Sequence, residues 1–333
     1  MLGTRPEIIR LSLTIPILDE HSEHRVVHTG QNFTPELSDV FFAELGVRAP
    51  DDHLGIKSTV FAEQAAQIID RIDKVLVSFR PDRVLILGDT NSGLSALPAA
   101  RRGVPVFHLE AGNRCYDDRV PEEVNRRVID HSSTVLMAYT HRAKENLVRE
   151  GIERERIFVV GNPIFEVLNH FSQQINGSET LSRLGLEPRK YLLATMHRAE
   201  NVDQVGRLER LVEGLHQASA ACEMPLIVSV HPRTSQRFRD VGLGTHSPKV
   251  RFLEPMGFFD FVRLEGCQVC SRRAGHLLRH NQLAAVLLVQ RLQPAGRINR
   301  VADRGQRGCS AMAHFADNDG SHVNPDTDPD RLA

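Results

Sequence analysis

The chain has 333 residues, with 41 basic against 42 acidic side chains and a formal net charge of −1. That length accommodates two domains of ordinary size, and the balanced charge excludes the clustered basic surplus of a nucleic-acid binder. No apolar run reaches the ~18–20 residues of a membrane span, the N-terminus lacks a signal-peptide pattern, and five irregularly spaced cysteines argue against a disulfide framework. A soluble, cytoplasmic protein with no nucleic-acid or membrane partner is expected.

The chain opens with Gly3-Thr4-Arg5-Pro6-Glu7, a turn that leads into a helix predicted over Ile8–Leu18. Gly3 permits close backbone approach, the helix start offers free N–H groups, and Arg5 adds a forked cation, so a phosphate or diphosphate site is one reading. A solvated N-terminal turn is the other. Short β-branched runs then alternate with amphipathic stretches. Strands are predicted at Arg25–His28, Arg83–Leu87, Val104–Leu109, Thr134–Ala138 and Arg156–Val160. Helices are predicted at Pro35–Leu45, Val60–Phe79, Glu122–His131 and His141–Glu150. Continuous apolar strands alternating with helices predict a parallel sheet covered on both faces. Ser172–Ser178 reads as a linker, after which alternation resumes with strands at Tyr191–Thr195, Pro225–Val230 and Val250–Leu253 and a helix over Val205–Ala220. The expected domains are 1–171 and 178–270, both α/β, with a cleft between them. Residues 271–333 hold one aromatic (Phe315), many arginines and no lysine, and read as a poorly ordered tail.

Ligands of open α/β sheets gather at the carboxyl ends of strands. Asp89 stands there in Gly88-Asp89-Thr90-Asn91-Ser92, although a helix N-cap would use the same residue types. Glu110 ends the next strand, before Ala111-Gly112. Glu122 opens the helix that carries Arg126, four residues on and on the same face, which a plain salt-bridged helix start would also show. Three carboxylates at successive strand or loop ends suit acid/base work, because carboxylates held close raise one another's pKa. In the second half, His197-Arg198 and His231-Pro232-Arg233 each follow a predicted strand and fit an anionic ligand; structural histidines are the alternative. Cys267-Gln268-Val269-Cys270 has no second pair at zinc spacing, so no metal is expected. Cys115 has no histidine arranged to activate it. Without a GxGxxG or Walker loop, no cofactor is implied.

The runs GTRPEIIRLS at 3–12, HTGQN at 28–32, GDTNS at 88–92, HLEAGNRCYDDRVPEEVNRR at 108–127 and ATMHRAENVD at 194–203 resemble the non-hydrolysing UDP-N-acetylglucosamine 2-epimerases over about residues 1–266. The resemblance implies a GT-B-like architecture of two Rossmann-like domains, with a UDP-sugar between them, in a homodimer. It also implies chemistry: anti elimination of UDP to a 2-acetamidoglucal, then re-addition with C2 protonated on the opposite face. By motif, Arg5 and His197 hold the diphosphate, with Arg10 (usually lysine) nearby. Asp89, Glu110 and Glu122 are the acid/base carboxylates, and Arg126 orients Glu122. Asp117, Asp118 and Arg119 are loop surface or substrate selection. The Asn-Arg-Cys-Tyr-Asp form after Glu-Ala-Gly resembles a branch acting on other UDP-2-acetamido sugars, including N-acetyl-L-fucosamine precursors. A GT-B glycosyltransferase and an inactive UDP-sugar-binding remnant are the competing readings. The family's DSGxxxEE segment is replaced by Ser271-Arg272-Arg273-Ala274-Gly275-His276. The C-terminal domain is therefore expected to be incomplete, as after a shifted reading frame.

Overall fold

A computed structural model describes residues 1–30, 35–56, 60–196, 205–230 and 249–267, together with Ser58, Phe238 and the pair 286–287. The described residues divide into two compact units, with the division in the chain between Asn169 and His170.

In the first unit, α1 (Arg5–Leu11) and α2 (Thr14–His21) replace the single helix predicted over Ile8–Leu18. The first starts early because Thr4 and Glu7 form a capping box with Pro6 in the first turn. It stops at Ser12, whose hydroxyl donates to the Ile9 carbonyl at 2.8 Å and competes with helical bonding. Strand β1 (Val27–His28) pairs in parallel with β2 (Asp52–His53), and α3 (Pro35–Glu44) lies between them in sequence. Ahead of them, Leu2 forms a parallel bridge to His28. Its N–H donates to Val27 at 3.0 Å and its carbonyl accepts from Thr29 at 2.8 Å, while the Met1 nitrogen donates to Leu85 at 3.0 Å. Two residues thus occupy the slot of a first strand.

The main sheet of this unit is four-stranded and wholly parallel: β3 (Val84–Leu87), β4 (Val106–Ala111), β5 (Val135–Ala138) and β6 (Ile157–Val159), in that order. Its crossovers are α5 (Ala96–Arg101), reached through a 3₁₀ turn at Asn91–Ser95, then α6 (Pro121–Ser132) and α7 (His141–Arg149). One face packs Val84, Ile86 and Val106 against Ile68 and Ile72 of α4 (Phe61–Phe79) and Ile129 of α6. The other face packs Leu136 and Ala138 against Ala143 and Leu147 of α7. Burial on both faces is why these strands read as unbroken apolar runs rather than alternating ones.

Helix α8 (Ile164–His170) runs to the division. The predicted linker is instead a short helix, α9 (Ser172–Gly177), followed by α10 (Thr180–Arg183). Tertiary contact overrides its loop-like composition: Asn176 accepts from Arg263 at 3.1 Å, and the Phe171 ring lies 5.3 Å from that of Phe259. The second unit's sheet has the order β10 (Val286–Leu287), β7 (Leu192–Met196), β8 (Leu226–Val230), β9 (Val250–Leu253). The last three are parallel and β10 is antiparallel to β7. Period-two alternation gives each face its own helix. Leu192, Ala194, Leu226 and Val228 pack on Leu208, Leu211 and Leu215 of α11 (Val205–Cys222). Leu193 and Ile227 pack with Leu264 of α12 (Phe258–Cys267). Among the described residues, no helix is long and apolar enough to cross a membrane.

Candidate active site

The first unit collects its ionisable groups at the carboxyl ends of β3 and β4 and at the start of α6. After β3 the chain turns through Gly88 at φ 77° into Asp89, which is partly buried. Its carboxylate is gripped by Arg126, at 2.9 Å from Nε and 2.6 Å from a terminal guanidinium nitrogen. The neighbouring Asn125 holds the backbone, donating to the Asp89 carbonyl at 3.0 Å and to Asn91 Oδ1 at 2.9 Å. Consecutive residues of α6 therefore fix the main chain and the side chain of one carboxylate.

Glu110 is placed by a bulge. The register of β4 against β5 shifts between Leu109 and Ala111, and Glu110 takes φ 79°, a left-handed conformation costly for a non-glycine residue. Such strain gathers at functional positions, and here it re-aims a side chain that is only 6 % exposed. Glu110 accepts from Arg10 and, at 3.2 Å, from Asn113. Its carboxylate lies 3.3 Å from where a Cβ on Gly88 would stand, so the Asp89 and Glu110 turns are in contact. Arg10 is buried and also faces the Tyr139 hydroxyl at 3.5 Å. Burial works to lower its pKa, but Glu110 and Tyr139 outweigh it and hold the guanidinium above its ordinary value.

Gly3 is required sterically: a Cβ there would clash with the hydroxyls of Thr29 and Ser92, which are bonded to each other at 2.7 Å. The expectation of free N–H groups at this turn is corrected. Glu7 accepts from the N–H of Gly3 and, at 3.0 Å, from that of Thr4, and its other oxygen accepts from Thr90 at 2.6 Å. This buried carboxylate ties the N-terminal turn to the Asp89 turn, and burial pushes its pKa up. Arg5 lies over the Phe41 ring at 5.7 Å, and burial lowers its pKa.

Glu122 and Glu123 both stand in the first turn of α6. Arg126 reaches Glu123 at 2.9 Å as well as Asp89. Glu123, fully buried, accepts from the N–H groups of Cys115 and Tyr116 at 3.1 Å each and so pins the loop between β4 and α6. Burial alone would raise its pKa; these bonds and Arg126 bring it below the ordinary value. Asp117 pairs with Arg119 at 2.8 Å and Asp118 with Arg127 at 2.8 Å. His197, Arg198 and His231 lie outside the described residues, as do Gln268–His276.

Sequence reasoning missed Glu7, His108, Arg114, Glu123 and Asp130. Two of them carried a signal. Thr4-x-x-Glu7 has capping-box spacing, and His108 interrupts an apolar strand, where a buried polar side chain needs a partner.

Parallel strands whose ends present arginine-gripped carboxylates define a Rossmann-like unit with an ionisable site at its carboxyl edge. The family described as UDP-N-acetylglucosamine 2-epimerase matches residues 17–269. A UDP-N-acetylglucosamine 2-epimerase of Methanocaldococcus jannaschii is 39 % identical over 274 residues, covering 80 % of this chain and 75 % of that protein. A UDP-2,3-diacetamido-2,3-dideoxy-D-glucuronate 2-epimerase of Pseudomonas aeruginosa is 34 % identical, covering 79 % and 74 %. The crystal structure of the M. jannaschii UDP-GlcNAc 2-epimerase in complex with UDP-GlcNAc and UDP superposes with a TM-score of 0.74 at 36 % identity, covering 85 % of this chain and 81 % of that one. The chain belongs to the UDP-N-acetylglucosamine 2-epimerase family.

Proposed function

We propose that this chain inverts C2 of UDP-N-acetylglucosamine to give UDP-N-acetylmannosamine, without hydrolysis, by elimination and re-addition of UDP. As a family member it is a UDP-sugar 2-epimerase in kind; the substrate and residue roles are the proposal. One base takes the C2 proton, and the C1–O bond breaks with its electron pair leaving on UDP, which generates the glycal. UDP oxygen then re-bonds C1 as an acid delivers a proton to the opposite face of C2. Asp89, Glu110 and Glu122 are the acid/base set, with Arg126 orienting Asp89 as well as the start of α6. By the family motif, Arg5 and His197 hold the diphosphate, with Gly3, Arg10, Arg198 and His231 as the other substrate-side residues. The observation that carries the reading is the contact of the Asp89 and Glu110 turns, each carboxylate held by its own arginine. Preorganised acids and bases of this kind supply about 10²–10⁴-fold in rate.

In deuterium oxide, the wild-type chain is expected to incorporate deuterium at C2 of UDP-N-acetylglucosamine with no acceptor sugar present. Asp89→Asn and Glu122→Gln are expected to abolish it. Full exchange in either variant removes that residue from the acid/base set, and UDP release only after an acceptor is added, with no exchange at C2, favours a glycosyltransferase. The P. aeruginosa relative supports a second substrate, another UDP-2-acetamido sugar, and the same assay across such sugars separates the two. A cytoplasmic homodimer accompanies this reading; sedimentation at micromolar concentration and cell fractionation check it.

A further inference from the structure

Beneath the Asp89 and Glu110 turns lies a buried ionic chain that the proposed reaction does not use. His108, on β4, is 1 % exposed and Asp130, on α6, is 0 % exposed. His108 Nδ1 lies 2.7 Å from Asp130 Oδ1, and its Nε2 lies 2.9 Å from the Gly88 carbonyl oxygen. The other Asp130 oxygen accepts from the Gly112 N–H at 3.2 Å and faces Arg114 at 2.8 Å. Arg114 in turn forks onto Glu150 at the end of α7, at 2.7 and 2.6 Å. Gly88 immediately precedes Asp89, and Gly112 stands two residues after Glu110. A single His–Asp pair therefore holds one end of each turn.

The donors and acceptors leave little freedom. A backbone carbonyl only accepts, and Asp130, already accepting from Gly112 and Arg114, is acceptor-only as a carboxylate. Both ring nitrogens of His108 thus lie within hydrogen-bond distance of oxygens that belong to two different partners. The groups facing the ring and its partner come from every neighbouring element: Gly88 after β3, Gly112 and Arg114 after β4, Asp130 from α6 and Glu150 beyond α7. Burial raises the Asp130 pKa, but His108 and Arg114 outweigh it and hold the carboxyl below its ordinary value. Gly112 itself admits no side chain, at φ 81° and with a Cβ position that would clash with the Ala143 carbonyl. The turn therefore cannot shift toward α7 to compensate for a lost bond.

We infer that His108, gripped by Asp130, is a positioning residue that locks the Gly88 and Gly112 turns together and so sets the spacing of Asp89 and Glu110. The inference rests on the proposal that those two carboxylates do the acid/base work. Misplacing reacting groups by about 1 Å costs on the order of 100-fold in rate, so the loss should fall on kcat. In His108→Gln, which can bond one side but not both, kcat for C2 exchange is expected to drop about 100-fold while KM changes less than about threefold. The wild-type full chain, labelled with nitrogen-15 histidine, is expected to show one ring with both nitrogens hydrogen-bonded, and this ring signal should be absent from His108→Gln. A folded His108→Gln with unchanged kcat overturns the inference, as does a wild-type His108 ring with only one nitrogen hydrogen-bonded. If the variant does not fold, the wild-type spectrum decides. If the wild-type chain shows no exchange with any UDP-2-acetamido sugar, the epimerase reading fails instead, and the spectrum still decides whether the two-turn lock exists.

Discussion

Arg126 shows how much one side chain carries. Its guanidinium spans Asp89 and Glu123, one of them at the candidate site and the other the anchor of the loop before α6. A planar fork serves two carboxylates from fixed directions, whereas an ammonium turns three donors freely on a flexible stem. Arg126→Lys is therefore expected to keep the fold but lower kcat about 10- to 100-fold, through loss of aim at Asp89. Steady-state kinetics alongside circular dichroism checks this. A variant with wild-type kcat would show that Asp89 is aimed by something else. The pairing was only half legible. Helical spacing points Arg126 at Glu122, four residues back, whereas the structure shows it reaching Glu123 and Asp89, the latter thirty-seven residues earlier in sequence. Local periodicity reports neighbours on one helix and is blind to a partner brought in by a crossover.

At the scale of elements, the N-terminal turn is held by packing more than by its own propensity. Met1 and Leu2 stand in for a strand, and Glu7 closes the start of α1 while bonding Thr90 in the next turn. Gly3→Ala is expected to destabilise the chain by about 1–3 kcal/mol, the usual cost of overpacking, because Thr29 and Ser92 would have to give up their mutual hydrogen bond. Urea denaturation measures it; an unchanged midpoint would mean that this turn relaxes freely. The alternation of strands and helices was readable because burial on both faces leaves continuous apolar runs. The break at Ser12 and the helix at Ser172–Gly177 were not. One depends on a hydroxyl competing for a carbonyl, the other on contacts with a helix about ninety residues away.

For the whole molecule, buried carboxylates set the response to acid. Asp130 is held below its ordinary value in the folded chain, so on acidification the unfolded chain takes up the proton first. Its contribution to stability is complete above the unfolded value of about 3.9 and is lost as pH falls through that value toward the folded one. Glu7 has the opposite sign. Its folded pKa is raised, so its contribution is present below the unfolded carboxyl value and is lost as pH rises through the folded one. Asp130→Asn is expected to cost about 3–5 kcal/mol at neutral pH, since it leaves buried partners uncompensated. It should also flatten the acid limb of the stability curve below about pH 4. Urea midpoints taken from pH 7 to pH 3 check both; an acid limb as steep as that of the wild type would remove Asp130 as its source.

Local pattern is enough to read the elements and the order of the chemistry along them: parallel strands followed by turns, with Asp89, Glu110 and Glu122 at strand or loop ends. Those are local properties, written in apolar runs, turn residues and spacing. Which charges meet is set by packing. Arg10 finds Glu110 a hundred residues away, His108 finds Asp130 and Gly88 across two strands and a helix, and Glu7 finds Thr90 beside Asp89. The physical reason is that a buried charge must be satisfied by whatever the fold brings near it. A crossover connection sets that neighbourhood, and sequence separation carries no trace of it.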